Sequence, residues 1–336
     1  MRAVKVIGLV FATIILLGVV ALGAAWIFNP LATEIVLSDP TPDGRRVDEG
    51  DLIANFYSAK SSDAASNRTP AILLLGGSEG GIGVAVTKMA LALQAENYAV
   101  LTMSYFGAPG QTKILEYVPL ELFDQAIDWL KSQTNIDASR LGVMGVSKGA
   151  EAALIVATRH RELSAVVAAM PSNVAWQGID SNILKQIMTP PGGSWSLEGE
   201  PIPYLPYVRE YVEGPLDLYV KSLAKLANHP DSHIAVEKIG APVLLICGEA
   251  DTLWPSCDMA RQVESRSKNR QGPQIKVLAF ADAGHAGVGL PLDAEHPSFD
   301  QLASVGGTAR GNNAARRDGW AELLRYLATA FESSGS

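Results

Sequence analysis

The apolar positions from about residue 70 onward fall into two alternating kinds of segment. Short continuous apolar runs are typical of parallel strands buried on both faces of a sheet. Such runs lie at residues 71–75, 98–103, 141–145, 165–169, 242–247 and 275–279. Apolar residues at helical spacing lie at residues 120–130, 150–157 and 320–331. The repeated strand and helix units predict a mainly parallel sheet with helices on both faces.

One long segment, at about residues 172–236, interrupts this alternation and is rich in proline and aromatic residues. Because it connects two predicted strands, we expect it to form a cap over one end of the sheet. Residues 69–336 would then form one domain with a cap insertion, preceded by a short polar extension at residues 31–68. Four aromatic side chains of the cap are predicted to line a substrate pocket: Trp176, Trp195, Tyr204 and Tyr207. The alternative is that they only pack the cap against the sheet.

The N-terminal residues form a separate segment. Residues 6–28 carry no charge, whereas Arg2 and Lys5 precede them. About 20 apolar residues cross a bilayer core, and basic residues before the run favour a cytoplasmic N-terminus. The pattern predicts that residues 1–30 form a transmembrane signal anchor, or a signal peptide cleaved near residues 21–25. In the first case the catalytic domain is membrane-anchored on the non-cytoplasmic side, and in the second it is secreted.

Charge and cysteine content narrow the choice of ligand. The 336-residue chain has a formal net charge of −8 and no basic stripe, so we expect no nucleic-acid partner. The cysteines, Cys247 and Cys257, do not have the spacing of a zinc site. We therefore predict no metal and no other cofactor. The sequence leaves open whether the two cysteines form a disulfide, and it leaves the oligomeric state open as well.

The strongest chemical signal is a G-x-S-x-G motif centred on Ser147. A predicted strand ends at Gly145 and a helix begins near Lys148, which is the strand–turn–helix setting of a nucleophile elbow. The turn is tight, so the positions on either side of the serine must be small, as Gly145 and Gly149 are. The motif therefore predicts an α/β-hydrolase fold with Ser147 as nucleophile.

A serine nucleophile needs a base and an acid that orients the base. His285 lies in a glycine-containing turn after the last predicted strand, and Asp251 follows the strand at residues 242–247. The chain order Ser, Asp, His is that of this fold. We therefore predict His285 as the base and Asp251 as the acid, ahead of Glu249 and Asp258.

The predicted oxyanion hole is built from backbone N–H groups. One is the N–H of Lys148, the residue after the nucleophile. The others come from the glycine-rich loop after the strand at residues 71–75, where Gly77 and Ser78 are the predicted donors. Glycine lets the backbone of such a loop approach a substrate closely.

Several segments also resemble the C-terminal catalytic domain of acyl-CoA thioesterases and bile-acid-CoA:amino-acid N-acyltransferases. They lie at residues 117–121, 126–130, 145–151, 171–178, 248–256, 284–285 and 306–308. The likeness extends over about residues 68–331, and the Ser-Lys-Gly-Ala-Glu elbow is its most specific part. The resemblance implies an acyl-CoA thioester substrate. It also implies hydrolysis, because serine at the nucleophile position favours hydrolysis in this family and cysteine favours acyl transfer.

Three functions therefore compete. The first is a serine thioesterase or carboxylesterase that acts on a small-molecule acyl ester or acyl-CoA through an acyl-serine intermediate. The second is an acyl-CoA-dependent N- or O-acyltransferase that uses the same residues with water excluded. The third is a non-catalytic binding protein on the same fold, which the intact Ser147, Asp251 and His285 disfavour.

Overall fold

A central sheet of eight strands organises the chain. The computed structural model describes residues 2–28, 35–61, 68–268, 272–273 and 275–334, with backbone alone at residues 2–12, 28 and 334. The strands of the sheet are β1 (Arg45–Glu49), β2 (Leu52–Tyr57), β3 (Thr69–Leu75), β4 (Ala99–Ser104), β5 (Ile136–Val146), β6 (Ala165–Ala169), β7 (Val243–Gly248) and β8 (Ile275–Phe280). Their order across the sheet is β1-β2-β4-β3-β5-β6-β7-β8.

The sheet is mainly parallel, as the sequence predicts. All pairings from β4 to β8 are parallel, and β1 and β2 join the edge in antiparallel register. Since parallel strands end at the same edge, the loops after β3, β5, β7 and β8 meet there. The predicted nucleophile, acid, base and glycine-rich loop all belong to these loops.

Helices cover both faces of the sheet. The helices of the described residues are α1 (Arg2–Phe28), α2 (Val84–Ala95), α3 (Glu121–Ser132), α4 (Lys148–Arg159), α5 (Ile183–Met188), α6 (Pro215–Leu223), α7 (Ser256–Ser267) and α8 (Ala309–Ser334). Of these, α2, α3, α4, α7 and α8 contact the sheet. Ile72 and Leu74 of β3 belong to one apolar cluster with α2 and α8, whereas Leu73 and Leu75 belong to another with α3, α4 and α7. The alternation follows from the period of two in a strand, and it explains why β3 is apolar throughout.

The N-terminal part of the domain differs from the sequence prediction. Residues 31–68 are predicted to be an extension, but β1 and β2 lie within them and pair with the sheet. Strand β1 is at the sheet edge, and among its residues only Val47 is buried. A strand with so little buried surface produces no continuous apolar run, so the pattern gave no signal there.

Helix α1 contains the apolar run at the N-terminus. Most of its described large apolar side chains are exposed, among them Ile14, Leu17 and Ile27. Among the residues that the structure describes, no helix is both long enough and apolar enough to cross a membrane. The transmembrane anchor predicted at residues 1–30 therefore has no support from the described helices, and part of that range lies outside the described residues.

The segment predicted as a cap is ordered into short elements. Besides α5 and α6 it contains the strands Trp195–Leu197 and Glu200–Pro201 and the 3-10 helices Leu226–Asn228, Pro230–Ser232 and Val236–Lys238. Trp195–Leu197 pairs with Val118–Pro119, outside the cap. A cluster of Trp176, Tyr207, Tyr219 and Trp254 joins the cap to the loop after β7.

Candidate active site

Ser147 lies at the sharp turn between β5 and α4. Its φ of 56° and ψ of −120° place it in a conformation that non-glycine residues rarely adopt. A Cβ at Gly145 would collide with the backbone of Gly149, and a Cβ at Gly149 would collide with the carbonyl oxygen of Gly76. The two glycines are therefore required by close backbone packing, which holds the strained serine at the strand end.

The three predicted triad side chains come together across 138 residues of sequence. His285 Nε2 lies 3.0 Å from Ser147 Oγ. His285 Nδ1 lies 2.8 Å from Asp251 Oδ2. With a proton on Nδ1 donated to the carboxylate, Nε2 is free to accept the serine proton. The arrangement supports nucleophilic attack by Ser147.

Asp251 is held by the loop that carries it. Its other oxygen, Oδ1, accepts hydrogen bonds from the backbone N–H groups of Leu253 and Trp254, at 2.9 and 3.2 Å. The side chain is only 1% exposed. These bonds fix the orientation of the carboxylate toward the imidazole.

Cys247 and Cys257 form a disulfide, which settles the question that the sequence left open. Cys247 lies in β7 and Cys257 in the first turn of α7, on either side of the loop that carries Asp251. Both residues are buried. The bond therefore restricts the separation of the two ends of the acid loop.

The predicted oxyanion-hole residues lie beside the nucleophile. A Cβ placed on Gly77 would be 3.4 Å from Ser147 Cβ, so the glycine-rich loop passes close to the serine. The Tyr105 hydroxyl donates to the carbonyl oxygens of Gly76 and Gly77, at 2.8 and 2.7 Å. Burial raises the pKa of Tyr105 well above its usual value, which keeps this donor protonated. The loop backbone is thereby anchored from the side that faces the core.

Three backbone N–H groups around the serine have no acceptor among the described residues. Within the described residues, those of Gly77, Ser78 and Lys148 make no recorded hydrogen bond to the protein. Gly77 and Ser78 also line the same cavity as Ser147. Donors left without an acceptor beside a nucleophile suit the binding of a developing oxyanion.

The side chain of Lys148 forms an ion pair that the sequence analysis missed. Its Nζ donates to Glu151 Oε2 at 2.6 Å and to Ser194 Oγ at 2.9 Å. Glu151 Oε1 in turn accepts from the Trp176 backbone N–H at 2.9 Å and from the Trp195 indole N–H at 2.7 Å. The Lys148 and Glu151 side chains are 1% and 0% exposed. This buried network joins the first turn of α4 to the cap; the spacing of three residues was the available signal.

A cavity of about 530 Å³ opens at Ser147 and His285, and we call it the Ser147 cavity. Its walls come from residues 76–89 and from the loop at residues 285–298. Apolar side chains predominate in the lining, which includes Leu253 of the loop after β7 as well as Val84, Val86, Met89, Leu290 and Leu292 of these walls. The cavity is suited to an apolar substrate group placed next to the serine hydroxyl.

The four cap aromatics predicted to line the pocket lie elsewhere. Trp176 and Trp195 are fully buried and hold Glu151, and neither borders the Ser147 cavity. Tyr207 stacks on Trp176, and Tyr204 packs over Gly193. The prediction is corrected because Trp176 and Trp195 bond to Glu151 of α4, and Tyr204 borders a separate cavity formed by residues 201–206 and 228–232. The cavity lies between the 76–89 segment and the 285–298 loop instead.

Within the described part of the chain, no group of three or more His, Cys, Asp or Glu side chains has an arrangement that could hold a metal ion. The polar groups around Ser147 include the His285 imidazole, with the Asp251 carboxylate behind it, and backbone N–H groups. Together they form the Ser-His-Asp arrangement of acyl transfer to water or to another acceptor.

The strand order and the nucleophile elbow define an α/β hydrolase. A solved structure of a Mycobacterium tuberculosis puromycin-hydrolysing peptidase has a similar fold, with a TM-score of 0.56 and 15% identity, over 90% of this chain and 41% of that one. The family model described as BAAT / acyl-CoA thioester hydrolase C terminal matches residues 118–333. The chain belongs to this family.

Curated relatives are acyl-CoA thioesterases. The mouse acyl-coenzyme A thioesterase 5 is 25% identical over 263 residues, which cover 77% of this chain and 59% of the relative. The mouse mitochondrial acyl-coenzyme A thioesterase 2 is 24% identical over 273 residues, covering 77% and 54%. The chain thus spans less than two-thirds of the length of these relatives.

Proposed function

We propose that the protein is a serine hydrolase that cleaves acyl thioesters or carboxylic esters through an acyl-serine intermediate. The observation that carries the proposal is the hydrogen-bonded relay from Ser147 through His285 to Asp251. The names of the curated relatives support an acyl-CoA as the thioester substrate. The apolar walls of the Ser147 cavity support an acyl chain as the group that binds beside the serine.

In the acylation step, His285 Nε2 takes the proton of the Ser147 hydroxyl as Oγ attacks the acyl carbonyl carbon. The carbonyl electron pair moves to its oxygen, which the backbone N–H groups of Lys148, Gly77 and Ser78 stabilise. The intermediate then collapses, and the bond to the thiol or alcohol breaks. The leaving group takes the proton from His285, and the acyl group stays on Ser147.

In the deacylation step, a water molecule gives a proton to His285 Nε2 and attacks the acyl-serine carbonyl. The second intermediate collapses by breaking the bond to Ser147 Oγ. The serine recovers the proton from His285, and the carboxylic acid leaves. Throughout both steps Asp251 stabilises the imidazolium and keeps the imidazole in one orientation.

Labelling with a fluorophosphonate tests the nucleophile directly. Wild-type protein is expected to be labelled at Ser147 and to hydrolyse acyl-CoA or nitrophenyl esters. The Ser147→Ala variant should keep its melting temperature and lose nearly all turnover. Absence of labelling and turnover in well-folded wild-type protein would instead support the non-catalytic binding protein. Formation of an amide or ester in the presence of amines or alcohols would identify an acyltransferase.

We further propose that the N-terminal segment directs the catalytic domain across a membrane, as an anchor or as a cleaved signal peptide. The support is the uncharged run at residues 6–28 after Arg2 and Lys5, together with the exposure of its described apolar side chains. Cell fractionation tests this proposal. Full-length protein in the washed membrane fraction is expected for an anchor and shortened protein outside the membrane for a signal peptide, whereas full-length protein in the cytosol would contradict export.

A further inference from the structure

One cation in the Ser147 cavity has no role in the proposed chemistry. Arg316 of α8 lines the cavity that also contains Ser147 and His285. Its Nε donates to the carbonyl oxygen of Ala286 at 2.7 Å, and its Nη1 donates to that of Leu290 at 3.3 Å. These two bonds hold the guanidinium in place against the loop that follows the catalytic histidine.

Arg316 has no acidic ion-pair partner within the part of the chain that the structure describes. No carboxylate of the described residues forms a recorded ion pair with it, and burial alone lowers its pKa. The contrast with the other buried cation beside the site is clear, because Lys148 is paired with Glu151. A partly buried guanidinium without a counter-ion keeps its charge and favours an anion in the adjoining space.

The acidic side chain of the same cavity lies at the opposite wall. Glu79 belongs to the glycine-rich loop, and its carboxylate is next to Gly76 and Gly77. A second cation, Lys88 of α2, also borders the cavity. The charged groups of the cavity thus include two cations in addition to the carboxylate beside the oxyanion loop.

We propose that Arg316 binds an anionic group of the substrate within the Ser147 cavity, either a phosphate or a carboxylate. The proposal rests on the proposed hydrolase function, since it places that group on the molecule that Ser147 attacks. Both anions accept two parallel hydrogen bonds from a guanidinium. A phosphate would belong to the leaving group, as in an acyl-CoA, whereas a carboxylate would lie at the far end of the acyl chain.

Two pairs of substrates separate these sources. Mono-4-nitrophenyl glutarate and 4-nitrophenyl valerate have acyl chains of equal carbon number with and without a terminal carboxylate. Butyryl-CoA and S-butyryl-N-acetylcysteamine have the same thioester with and without phosphates. We expect Arg316→Gln to lower kcat/KM for one charged member about 10- to 100-fold more than for its neutral counterpart. Arg316→Lys keeps the positive charge but cannot donate two parallel hydrogen bonds. Its kcat/KM for that substrate should therefore lie between the values of wild type and Arg316→Gln.

Arg317→Gln is the matched control, since Arg317 is the next residue of α8, is exposed and pairs with Asp318. It should leave all four kcat/KM values unchanged. Equal losses on all four substrates in Arg316→Gln would overturn the proposal, because they would show that Arg316 only holds the 286–290 loop. The comparison within each pair cancels any general loss of active protein.

A binding measurement keeps this test separate from the test of hydrolysis. Calorimetric titration of the Ser147→Ala variant with CoA and with glutarate should detect binding of one of them, weakened by the added Arg316→Gln change. Binding that does not depend on Arg316, or no binding of either probe, would overturn the anion site. Failure of the wild-type protein to be labelled at Ser147 would overturn the hydrolase proposal alone.

Discussion

Replacement of Glu151 by glutamine would leave the Lys148 ammonium buried without its counter-ion. The glutamine Oε1 can still accept from the two tryptophan N–H groups, but its amide nitrogen would then face the Lys148 ammonium, donor against donor. Breaking a buried pair in this way costs about 3–5 kcal/mol. For a domain of this size the loss corresponds to a fall in Tm on the order of 10 °C. The double variant Lys148→Met/Glu151→Gln removes the buried cation as well, and most of the stability should return.

The pair formed by Lys131 and Glu162 is the matched control for this experiment. The ion-pair distance is also 2.6 Å, but the side chains are 31% and 42% exposed. Exposed pairs contribute about 0–1 kcal/mol, so Glu162→Gln should change Tm little. Thermal and urea unfolding of the four variants, with Lys148→Met completing the cycle, measure the coupling. A loss of stability in Glu151→Gln no greater than that in Glu162→Gln would contradict this expectation. So would a double variant whose loss of stability equals the sum of the losses in its two single variants.

Asp251→Asn should lower kcat about 10³- to 10⁴-fold with little change in Tm, because the amide holds the imidazole in the wrong tautomer; a loss under tenfold would contradict Asp251 as the acid. Leu292→Ala should lower kcat/KM for long acyl chains several-fold more than for acetyl esters, at about 0.8 kcal/mol for each methylene that loses contact. Leu197→Ala in the cap is the control and should leave the chain-length preference unchanged. If both variants changed this preference equally, Leu292 would not be a wall of the acyl pocket. Burial raises the pKa of Glu162, but hydrogen bonds from Lys131 and from the imidazole of His160 lower it to about 2. The contribution of Glu162 to the free energy of unfolding is therefore present above the unfolded pKa of about 4.5 and is lost as the pH falls toward 2. When stability is measured over this pH range, Glu162→Gln should lose slightly less stability than wild type. A larger loss in the variant would contradict the sign.

The sheet was predictable because most of its strands are buried on both faces. The apolar runs at residues 71–75 and 165–169 lie within β3 and β6 as observed. Strand β1 was not predicted because an edge strand with one buried residue has no continuous apolar run. Helix α2 also went unpredicted, since its buried residues are interspersed with small and polar ones.

The triad could be predicted because the turn around Ser147 and the order of Ser147, Asp251 and His285 along the chain can both be read directly from the sequence. The cavity walls are not local, because they combine residues 76–89 with the loop at residues 285–298, which lie far apart in the sequence. The cap aromatics were misplaced for a related reason. The Trp195 indole N–H donates to the carboxylate of Glu151, which is buried as an ion pair with Lys148. The spacing of the two charged residues alone does not predict that they are buried.

The family match begins at residue 118, and the triad lies wholly within it. One wall of the Ser147 cavity, at residues 76–89, lies before that boundary and belongs to a different stretch of the chain. The three triad residues and part of the cavity wall therefore lie in separate portions of the sequence, although the proposed oxyanion donors Gly77 and Ser78 share the portion that carries the wall. For the proposed hydrolase, substitutions at Val84 or Met89 can change the acyl group that fits the Ser147 cavity while Ser147, Asp251 and His285 stay the same. A related protein can thus acquire a new substrate range without passing through an inactive form.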